Sequence, residues 1–285
     1  MLSAQTIATA FIAACRDELE APKPGNVHIF AAGHGMDVGN FRTSAAAAAP
    51  CIAQAGASTG ARIDAAMAAT WAAVAKNTNL GIILLCAPLA AAAERGGPLP
   101  EGLRGVLDHL TINDAALAFR AIRLASPAGL GNSDAHDVRQ EPTATLLEAM
   151  LAAAGHDRIA WNYAHGFDDV INSGQRVLAQ ARQLRMQVQA SAWRPVLNLY
   201  LHFLSASPDS HIARKFGGEL AREVQLEAAG FCQRAMSGQP DATLLPGLLA
   251  LDARLKSAGL NPGTSADLTV AALFAERLIQ GAQSA

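Results

Sequence analysis

The feature that most constrains the fold is an apolar run from Ile82 to Ala93, in which Pro88 is the one residue that disfavours a regular helix. Because the run is apolar on every side and lacks a polar stripe at a 3.6-residue period, we interpret it as a central buried helix. It is too short to cross a bilayer, which needs about 20 apolar residues. Pro88 is expected to kink this helix or to split it into two pieces.

The composition of the chain favours helices throughout. Hydrophobic residues make up 51% of the 285 residues, alanine dominates them, and aromatic residues account for only 5%. Since alanine is the best helix former, the sequence predicts an all-α fold. No internal repeat and no linker with a shift in composition divides the chain. We therefore expect one compact multi-helix domain over residues 1–285, built around the central helix, with its polar loops converging on one cleft.

Charge and cysteine usage limit the classes of partner. The formal net charge is -2 and no run of Lys or Arg is long enough to follow a phosphate backbone, which argues against nucleic acid and favours a small molecule. The four cysteines lack paired spacing, as is typical of buried reduced thiols. The apolar patch at residues 8–14 has no basic leader, so we interpret it as an amphipathic helix and expect a cytoplasmic protein without a membrane span. The oligomeric state stays open, with a homo-oligomer as one alternative.

Three polar residues stand immediately before the central helix: Asn77, Thr78 and Asn79. Their side chains can cap the unpaired amides of the helix start. Several such groups at the mouth of a buried helix can equally form a small-molecule site. The sequence leaves both interpretations open.

Two long polar loops carry most of the remaining ionisable candidates. The loop 26–41 contains His28, His34 and Asp37, and a loop of this length in a compact domain is usually functional or disordered. The second loop, 126–138, contains Asp134 and His136 among glycines. Clustered acids with a histidine suggest a contact to a divalent metal or to substrate, although a solvated loop fits the second pattern as well.

Further candidates lie on helices. Asp64 shares a helix face with Met67 and Thr70, where it is either a metal or substrate ligand or a carboxylate favoured by the helix dipole. Lys215 is either a phosphate ligand or a solvated charge. The start of the last helix can hold an anion, since Gly263 allows a close approach, a hydroxyl caps the first turn and an acid follows. Its remaining candidates are Thr264, Ser265 and Asp267.

Three of these stretches, in order, resemble the triphosphoribosyl-dephospho-CoA synthase family. They are Glu18 with Pro22, Lys23, Pro24 and Gly25; then Asp64, Met67 and Thr70 leading into Asn77, Thr78 and Gly81; and finally Asn261, Pro262, Gly263, Ser265, Ala266 and Asp267. The order and approximate spacing agree over nearly the whole chain. The resemblance implies an all-helical transferase of coenzyme biosynthesis. In that family the ribose C1 of ATP is joined to the 2'-hydroxyl of 3'-dephospho-CoA, and adenine is expelled.

The resemblance also implies roles for the candidates. An electron-poor ribosyl centre needs nearby carboxylates, for which Glu18, Asp37 and Asp64 are candidates. His28 or His34 would protonate the departing adenine. The triphosphate would be held by Mg2+, with Asp64 and Asp134 as metal ligands, and by cations or helix amides. These are Lys23, Lys215 and the amides of Thr264 and Ser265.

The chain departs from the family pattern at two places. Where the family usually has Asn-Thr-His-Lys-Gly, this chain has Asn79 and Leu80 in place of the histidine and the lysine. In the loop after His34, the usual order of Asp and Met is exchanged into Met36 and Asp37. A divergent branch is therefore expected, similar to homologues encoded beside genes for one-carbon carrier coenzymes such as methanopterin and methanofuran. The alternatives are a different acceptor, a non-catalytic nucleotide- or coenzyme-binding protein and, least favoured, a purely structural helical scaffold.

The sequence finally makes a geometric prediction. Each of seven polar residues sits at or near a helix end beside a Gly- or Pro-bearing break, where a helical domain can gather polar groups without burying them unpaired. They should line a single cleft, and if they do, Asp64→Ala should abolish turnover while leaving the fold intact. The seven are Glu18, Lys23, Asp37, Asp64, Asn77, Asn79 and Asp267.

Overall fold

The computed structural model describes residues 1–125 and 137–283 and confirms the all-α prediction. These residues form fourteen α-helices and no named strand. The helices are α1 (Ala4–Glu20), α2 (Val38–Ile52), α3 (Thr59–Val74), α4 (Leu80–Arg95), α5 (Leu99–Leu107), α6 (Ile112–Ala125), α7 (Leu146–Ala153), α8 (Arg158–Ala164), α9 (Gly174–Val188), α10 (Arg194–Ala206), α11 (Ser210–Phe216), α12 (Gly218–Met236), α13 (Asp241–Ser257) and α14 (Gly263–Gln283). The five residues before α9, Asp169–Ser173, form a π-helical turn.

Helix α4 is the buried helix that the apolar run predicts. Its residues from Ile82 onward are almost all inaccessible to solvent and belong to the larger of two apolar clusters. Pro88 does not split the helix, which continues without interruption to Arg95. Pro88 cannot donate to the carbonyl of Leu84, four residues earlier. The hydroxyl of Tyr163 donates to that carbonyl instead, at 2.6 Å. A partner from another helix therefore satisfies the group that the proline leaves unpaired.

Helix α14 is a second buried helix and lies against α4 and α1. Every residue from Leu268 to Ala275 is buried. Phe274 of α14 meets Phe11 of α1 edge to face, with ring centroids 5.8 Å apart.

The second apolar cluster is formed mainly by α10, α12 and α13. Trp193, just before α10, packs against both clusters. Tyr200 in α10 is fully buried, and its hydroxyl donates to the carbonyl of Pro24 at 2.7 Å. That bond ties the Pro-Gly loop after α1 to the second cluster, so both clusters contribute to positioning this loop.

Within the described residues, no single helix is long and apolar enough to cross a membrane. One pair of helices, α4 and α5, passes the test of length and composition together, and the two are bent by 115° relative to each other. Helix α4 is mostly buried inside the protein.

Candidate active site

One deep cleft opens where four helices begin. Its volume is about 970 Å³, near the upper end of the range of about 300–1,000 Å³ for ligand pockets. The wall contains residues from the first turns of α4, α8, α11 and α14, together with residues from α1 and the loop after it. Helix N-termini carry a partial positive charge, which favours negatively charged groups nearby. The first-turn amides of α8 and α11 are already paired with the carboxylates of Asp157 and Asp209.

The cleft has a polar part and an apolar part. The apolar part comes mostly from α4, α6, α7 and α8, and includes Phe41, Ile82, Leu84, Phe119, Ile122, Leu146, Ala149, Met150, Ala153 and Ile159. The polar part comes from the loops and the helix starts, and includes Glu18, Asn26, His34, Asn77, Asn79, His156, Asp157, His211, Arg214, Lys215, Asn261 and Asp267. A ligand with both an apolar body and charged groups matches this division.

Asp267 is the most unusual carboxyl of the cleft. Its side chain lies against Gly81 in the first turn of α4, where any Cβ would collide with it. Within the part of the chain that the structure describes, no hydrogen-bond donor or basic side chain pairs with it directly. Burial and the carboxylates of Asp209 and Glu18 raise the pKa of Asp267 well above its ordinary value. This carboxyl therefore keeps its proton to a higher pH than an ordinary aspartate.

A buried ion pair forms the cleft wall at the end of α1. The ammonium of Lys23 donates to Glu18 and, at 2.9 Å, to Asn26 Oδ1. Asn26 Nδ2 in turn donates to Asn261 Oδ1 at 2.8 Å. Burial raises the pKa of Glu18 and lowers the pKa of Lys23, and each partner opposes the shift of the other. Glu18 faces the cleft, whereas the fully buried Lys23 lies behind it, so the expectation that Lys23 contacts substrate is corrected.

The three polar residues before α4 have different partners. Asn77 Oδ1 accepts from the amide of Leu80 at 3.3 Å and is a helix cap. The hydroxyl of Thr78 donates to Ser44 at 2.6 Å. Asn79 donates to Thr70 Oγ1 at 3.1 Å and makes no capping bond. All three still line the cleft, so Asn77 both caps α4 and faces the cleft, while its role in a ligand site stays a prediction.

Several residues of the polar wall were not predicted as site residues. His211 and Arg214 lie on α11 beside Lys215, which was predicted and does line the cleft. Burial lowers the pKa of His211, and Arg214, Lys215 and His34 lower it further against the effect of Asp209. Arg214 also pairs with Asp157 at 3.0 Å. The neighbouring basic residues of α11 are visible in the sequence and could have indicated a site for an anion. The proximity of α11 to His34 depends on the fold and could not be predicted from the sequence.

The start of α14 differs in detail from the prediction. Gly263 and Thr264 line the cleft, as expected. A Cβ on Gly263 would lie 2.5 Å from His211 Nδ1, so this glycine makes room for the imidazole. Ser265 does not line the cleft, because its amide and its hydroxyl both donate to Asp209, each at 2.8 Å. The expectation that the Ser265 amide binds phosphate is therefore corrected.

Of the two predicted metal ligands, the structure describes only Asp64. Asp64 lies away from the cleft, and both of its carboxylate oxygens accept from Arg120, one of them at 2.6 Å. The partner could not be identified from the sequence, because Arg120 is on a different helix. Asp134 and His136 lie outside the described residues. Among the residues that are described, no group of three or more His, Cys, Asp or Glu side chains could hold a metal ion.

The loop 26–41 divides its predicted residues between two places. His34 lines the cleft, with Nε2 at 2.8 Å from the carbonyl of Gly25. His28 is buried behind the loop, with Nε2 at 3.3 Å from Asp252 Oδ1. Asp37 is exposed and caps α2 by accepting from the amide of Asn40 at 2.9 Å. Neither His28 nor Asp37 lines the cleft, so the expectations that they reach the reacting atoms are corrected.

The geometric prediction is thus correct for four of its seven residues. Glu18, Asn77, Asn79 and Asp267 line the same cleft, although α1, the start of α4 and the start of α14 are far apart in sequence. Lys23, Asp37 and Asp64 do not. The catalytic and binding roles assigned to these residues stay predictions.

The fold and the cleft define an all-helical protein with one large cleft whose lining is partly polar and partly apolar. Residues 4–285 match the model of a transferase family described as CitG: ATP:dephospho-CoA triphosphoribosyl transferase. The match covers nearly the whole chain, so the protein belongs to this family. No curated protein sequence matches the chain significantly.

A solved structure supports the same assignment. The chain is similar to a protein from Archaeoglobus fulgidus that is provisionally named triphosphoribosyl-dephospho-CoA synthase. The two share 26% sequence identity with a TM-score of 0.64, and the alignment covers 85% of this chain and 97% of the other. The family resemblance drawn from the three sequence stretches is therefore confirmed.

Proposed function

We propose that this protein transfers the triphosphoribosyl group of ATP to the hydroxyl of a coenzyme precursor, with 3'-dephospho-CoA as the first candidate. The bond between ribose C1 and adenine N9 breaks, and a bond forms between C1 and the acceptor oxygen. Adenine leaves with one proton, and the acceptor hydroxyl releases one. Family membership supports the reaction class, and the observation that carries the proposal is the partly charged, partly apolar cleft with an unpaired carboxyl at Asp267.

The cationic side chains would hold the triphosphate. Lys215 lines the cleft and forms no ion pair with a carboxylate among the described residues, while His211 and Arg214 stand beside it. We expect Lys215→Gln to raise KM for ATP by about tenfold, since a hydrogen bond to a charged group contributes roughly 1.5–3 kcal/mol. The value of kcat should change little, because this contact is made equally in the bound substrate and in the transition state.

Asp267 would donate the proton to the departing adenine. A carboxyl whose pKa is raised by burial and by Asp209 and Glu18 retains a proton that it can give up in the transition state. Glu18 also faces the cleft, and its negative charge would stabilise positive charge that develops on the ribose. Lys23 would hold Glu18 in place from behind.

Magnesium would enter with the substrate. The described residues contain no cluster of metal ligands, and the cleft carboxylates Glu18 and Asp157 already pair with Lys23 and Arg214. Mg2+ commonly keeps several waters and is held largely by substrate phosphates. The residues therefore fit MgATP as the bound species better than a magnesium ion held by the protein.

The acceptor is the open part of the proposal. Asn79 and Leu80 line the cleft where the resemblance leads us to expect a histidine and a lysine, so a cation is missing from this wall. This observation favours a second candidate function, in which a less anionic precursor of a one-carbon carrier coenzyme, such as methanopterin or methanofuran, accepts the group. In the third candidate, the protein binds a nucleotide and catalyses nothing.

Product analysis distinguishes the three candidates. The purified protein is incubated with MgATP and each acceptor in turn, and free adenine and the modified acceptor are measured by chromatography and mass spectrometry. Equal amounts of adenine and triphosphoribosylated 3'-dephospho-CoA would support the first candidate. The same stoichiometry with only the other acceptors would support the second. If calorimetry detects nucleotide binding and no adenine is released, the result would support the third candidate and contradict the proposed reaction.

A further inference from the structure

Asp209 joins the first turns of two helices. It is buried and immediately precedes α11. Its Oδ1 accepts from the amides of His211 and Ile212, at 3.0 and 3.2 Å. Its Oδ2 accepts from the amide and the hydroxyl of Ser265 in α14, each at 2.8 Å. Four donors from two helices thus fix this carboxylate, whereas an ordinary N-cap residue serves only its own helix.

A second contact reinforces the junction. Ser210 Oγ lies 2.9 Å from Thr264 Oγ1. The same Ser210 oxygen accepts from the amide of Arg158, the first residue of α8, at 3.3 Å. The starts of α8, α11 and α14 are therefore connected by side chains at one point behind the cleft.

The junction supports residues that face the cleft. His211 follows Asp209 by two positions in the first turn of α11, and Asp267 follows Ser265 by two positions near the start of α14. Both line the cleft, whereas Asp209 does not. The negative charge of Asp209 also acts on Asp267, together with those of Glu18 and Asp157 and against Lys23. Any displacement of α11 from α14 would change the relative position of the imidazole and the carboxyl.

We propose that Asp209 is a positioning residue that locks the first turns of α11 and α14 together and places its negative charge beside Asp267. The inference rests on the proposed function, since it assigns Asp209 an effect on the reaction through Asp267 and His211. It acts without touching substrate, because its oxygens are all engaged behind the cleft wall.

The test uses Asp209→Asn in the full-length protein. Asparagine has nearly the same shape and is an equally good N-cap residue. It has only one acceptor oxygen, however, and cannot serve both α11 and Ser265. We expect kcat for adenine release to fall by about tenfold or more, because small displacements of catalytic groups are costly. We also expect the carboxyl of Asp267 to titrate at lower pH, because a neighbouring negative charge has been removed.

The titration is followed by carbon-13 NMR of the aspartate carboxyls, and the Asp267 signal is identified by its loss in Asp267→Asn. Asp37→Asn is the matched control, since Asp37 caps α2, is exposed and lies away from the cleft. Neither kcat nor the titration of Asp267 should change in that control. Ser265→Ala, which weakens the junction but keeps the charge, should lower kcat by a few-fold and leave the titration unchanged.

Two results would overturn the proposal. One is an Asp209→Asn protein with the kcat and the Asp267 titration of the unaltered protein. The other is a lower kcat with an unmoved titration and an inert Ser265→Ala, which would reduce Asp209 to an ordinary cap. If Asp209→Asn does not fold, Ser265→Ala decides through kcat alone. If the unaltered protein releases no adenine, the proposed function fails, while the NMR titration still tests the effect of Asp209 on Asp267.

Discussion

At the scale of the residue, Asp267 should lower the stability of the fold at neutral pH. Its pKa in the folded protein is raised above the ordinary value of 3.8 by burial and by nearby carboxylates. The stability associated with this group is full below the unfolded pKa and is lost as pH rises through the folded pKa. The cost at neutral pH is consistent with a group retained for chemistry instead of for folding.

The variant Asp267→Asn tests whether the Asp267 carboxyl lowers the stability of the fold at neutral pH. We expect it to raise the free energy of unfolding at pH 7 by about 1 kcal/mol, since the amide has no proton to lose. The advantage over the unaltered protein should shrink as pH falls toward 4. Urea denaturation at a series of pH values measures it. An advantage that is independent of pH, or a variant that is less stable at pH 7, would contradict the raised pKa.

Asp64 is the opposite case, because the sequence predicted it as a site residue and the structure places it away from the cleft. Its two oxygens are held by the exposed Arg120. We expect Asp64→Asn to leave kcat and KM unchanged and to cost less than about 1 kcal/mol of stability, as is usual for exposed ion pairs. Steady-state kinetics and thermal unfolding measure both effects. A loss of more than tenfold in kcat would restore Asp64 to the site.

At the scale of the element, α4 shows how a proline is accommodated inside a buried helix. Pro88 leaves the carbonyl of Leu84 without its usual amide donor, and Tyr163 donates to it at 2.6 Å. We expect Tyr163→Phe to cost about 1–3 kcal/mol, the penalty for an unpaired buried polar group. The cost should be smaller in a Pro88→Ala background, because the restored amide can donate to Leu84. A double-mutant cycle by chemical denaturation measures the difference, and equal costs in both backgrounds would refute the pairing.

The first turn of α4 shows the influence of one missing side chain. Alanine is favoured over glycine inside a helix by about 1 kcal/mol. At Gly81, however, a Cβ would collide with the carboxyl of Asp267 and would lie 2.8 Å from Ile159 Cδ1. We therefore expect Gly81→Ala to displace Asp267 and to lower kcat by at least about tenfold. A control is Gly155→Ala, where no atom lies within 4 Å of the added Cβ, and its kcat should not change. Equal activity of both variants would show that the position of Asp267 does not matter.

The sequence predicted the helices better than it predicted which residues of different helices contact each other. The apolar run alone identified α4 as the buried helix, because burial on all sides leaves no polar stripe. The predicted split at Pro88 was wrong, and the sequence could not show why, because the compensating donor, Tyr163, lies 79 positions from Leu84. In the same way, Asp209 could be recognised as a cap from its place before α11, but its bonds to Ser265 depend on how α11 meets α14.

At the scale of the whole molecule, the site is assembled by helix starts that are distant in sequence. The convergence of Asn77 with Asp267 followed from their positions at helix starts, where polar groups can gather without being buried unpaired. Asp37 immediately precedes α2 and Asp64 lies in the second turn of α3, yet each is held by a partner outside the cleft. Position along the chain could not show which of these residues line the cleft and which do not, because that depends on how the helices pack.

The central claim is that the cleft around Asp267 is where adenine leaves ATP. Its most direct test is the single-turnover rate of adenine release from MgATP, in the presence of the acceptor that the protein uses. The rate is measured by rapid quench and chromatography for the unaltered protein, for Asp267→Asn and for Asp64→Asn. We predict a loss of about 10²- to 10⁴-fold in Asp267→Asn, as expected for removal of a general acid, and no loss in Asp64→Asn. Adenine release at the unaltered rate in Asp267→Asn would contradict the claim.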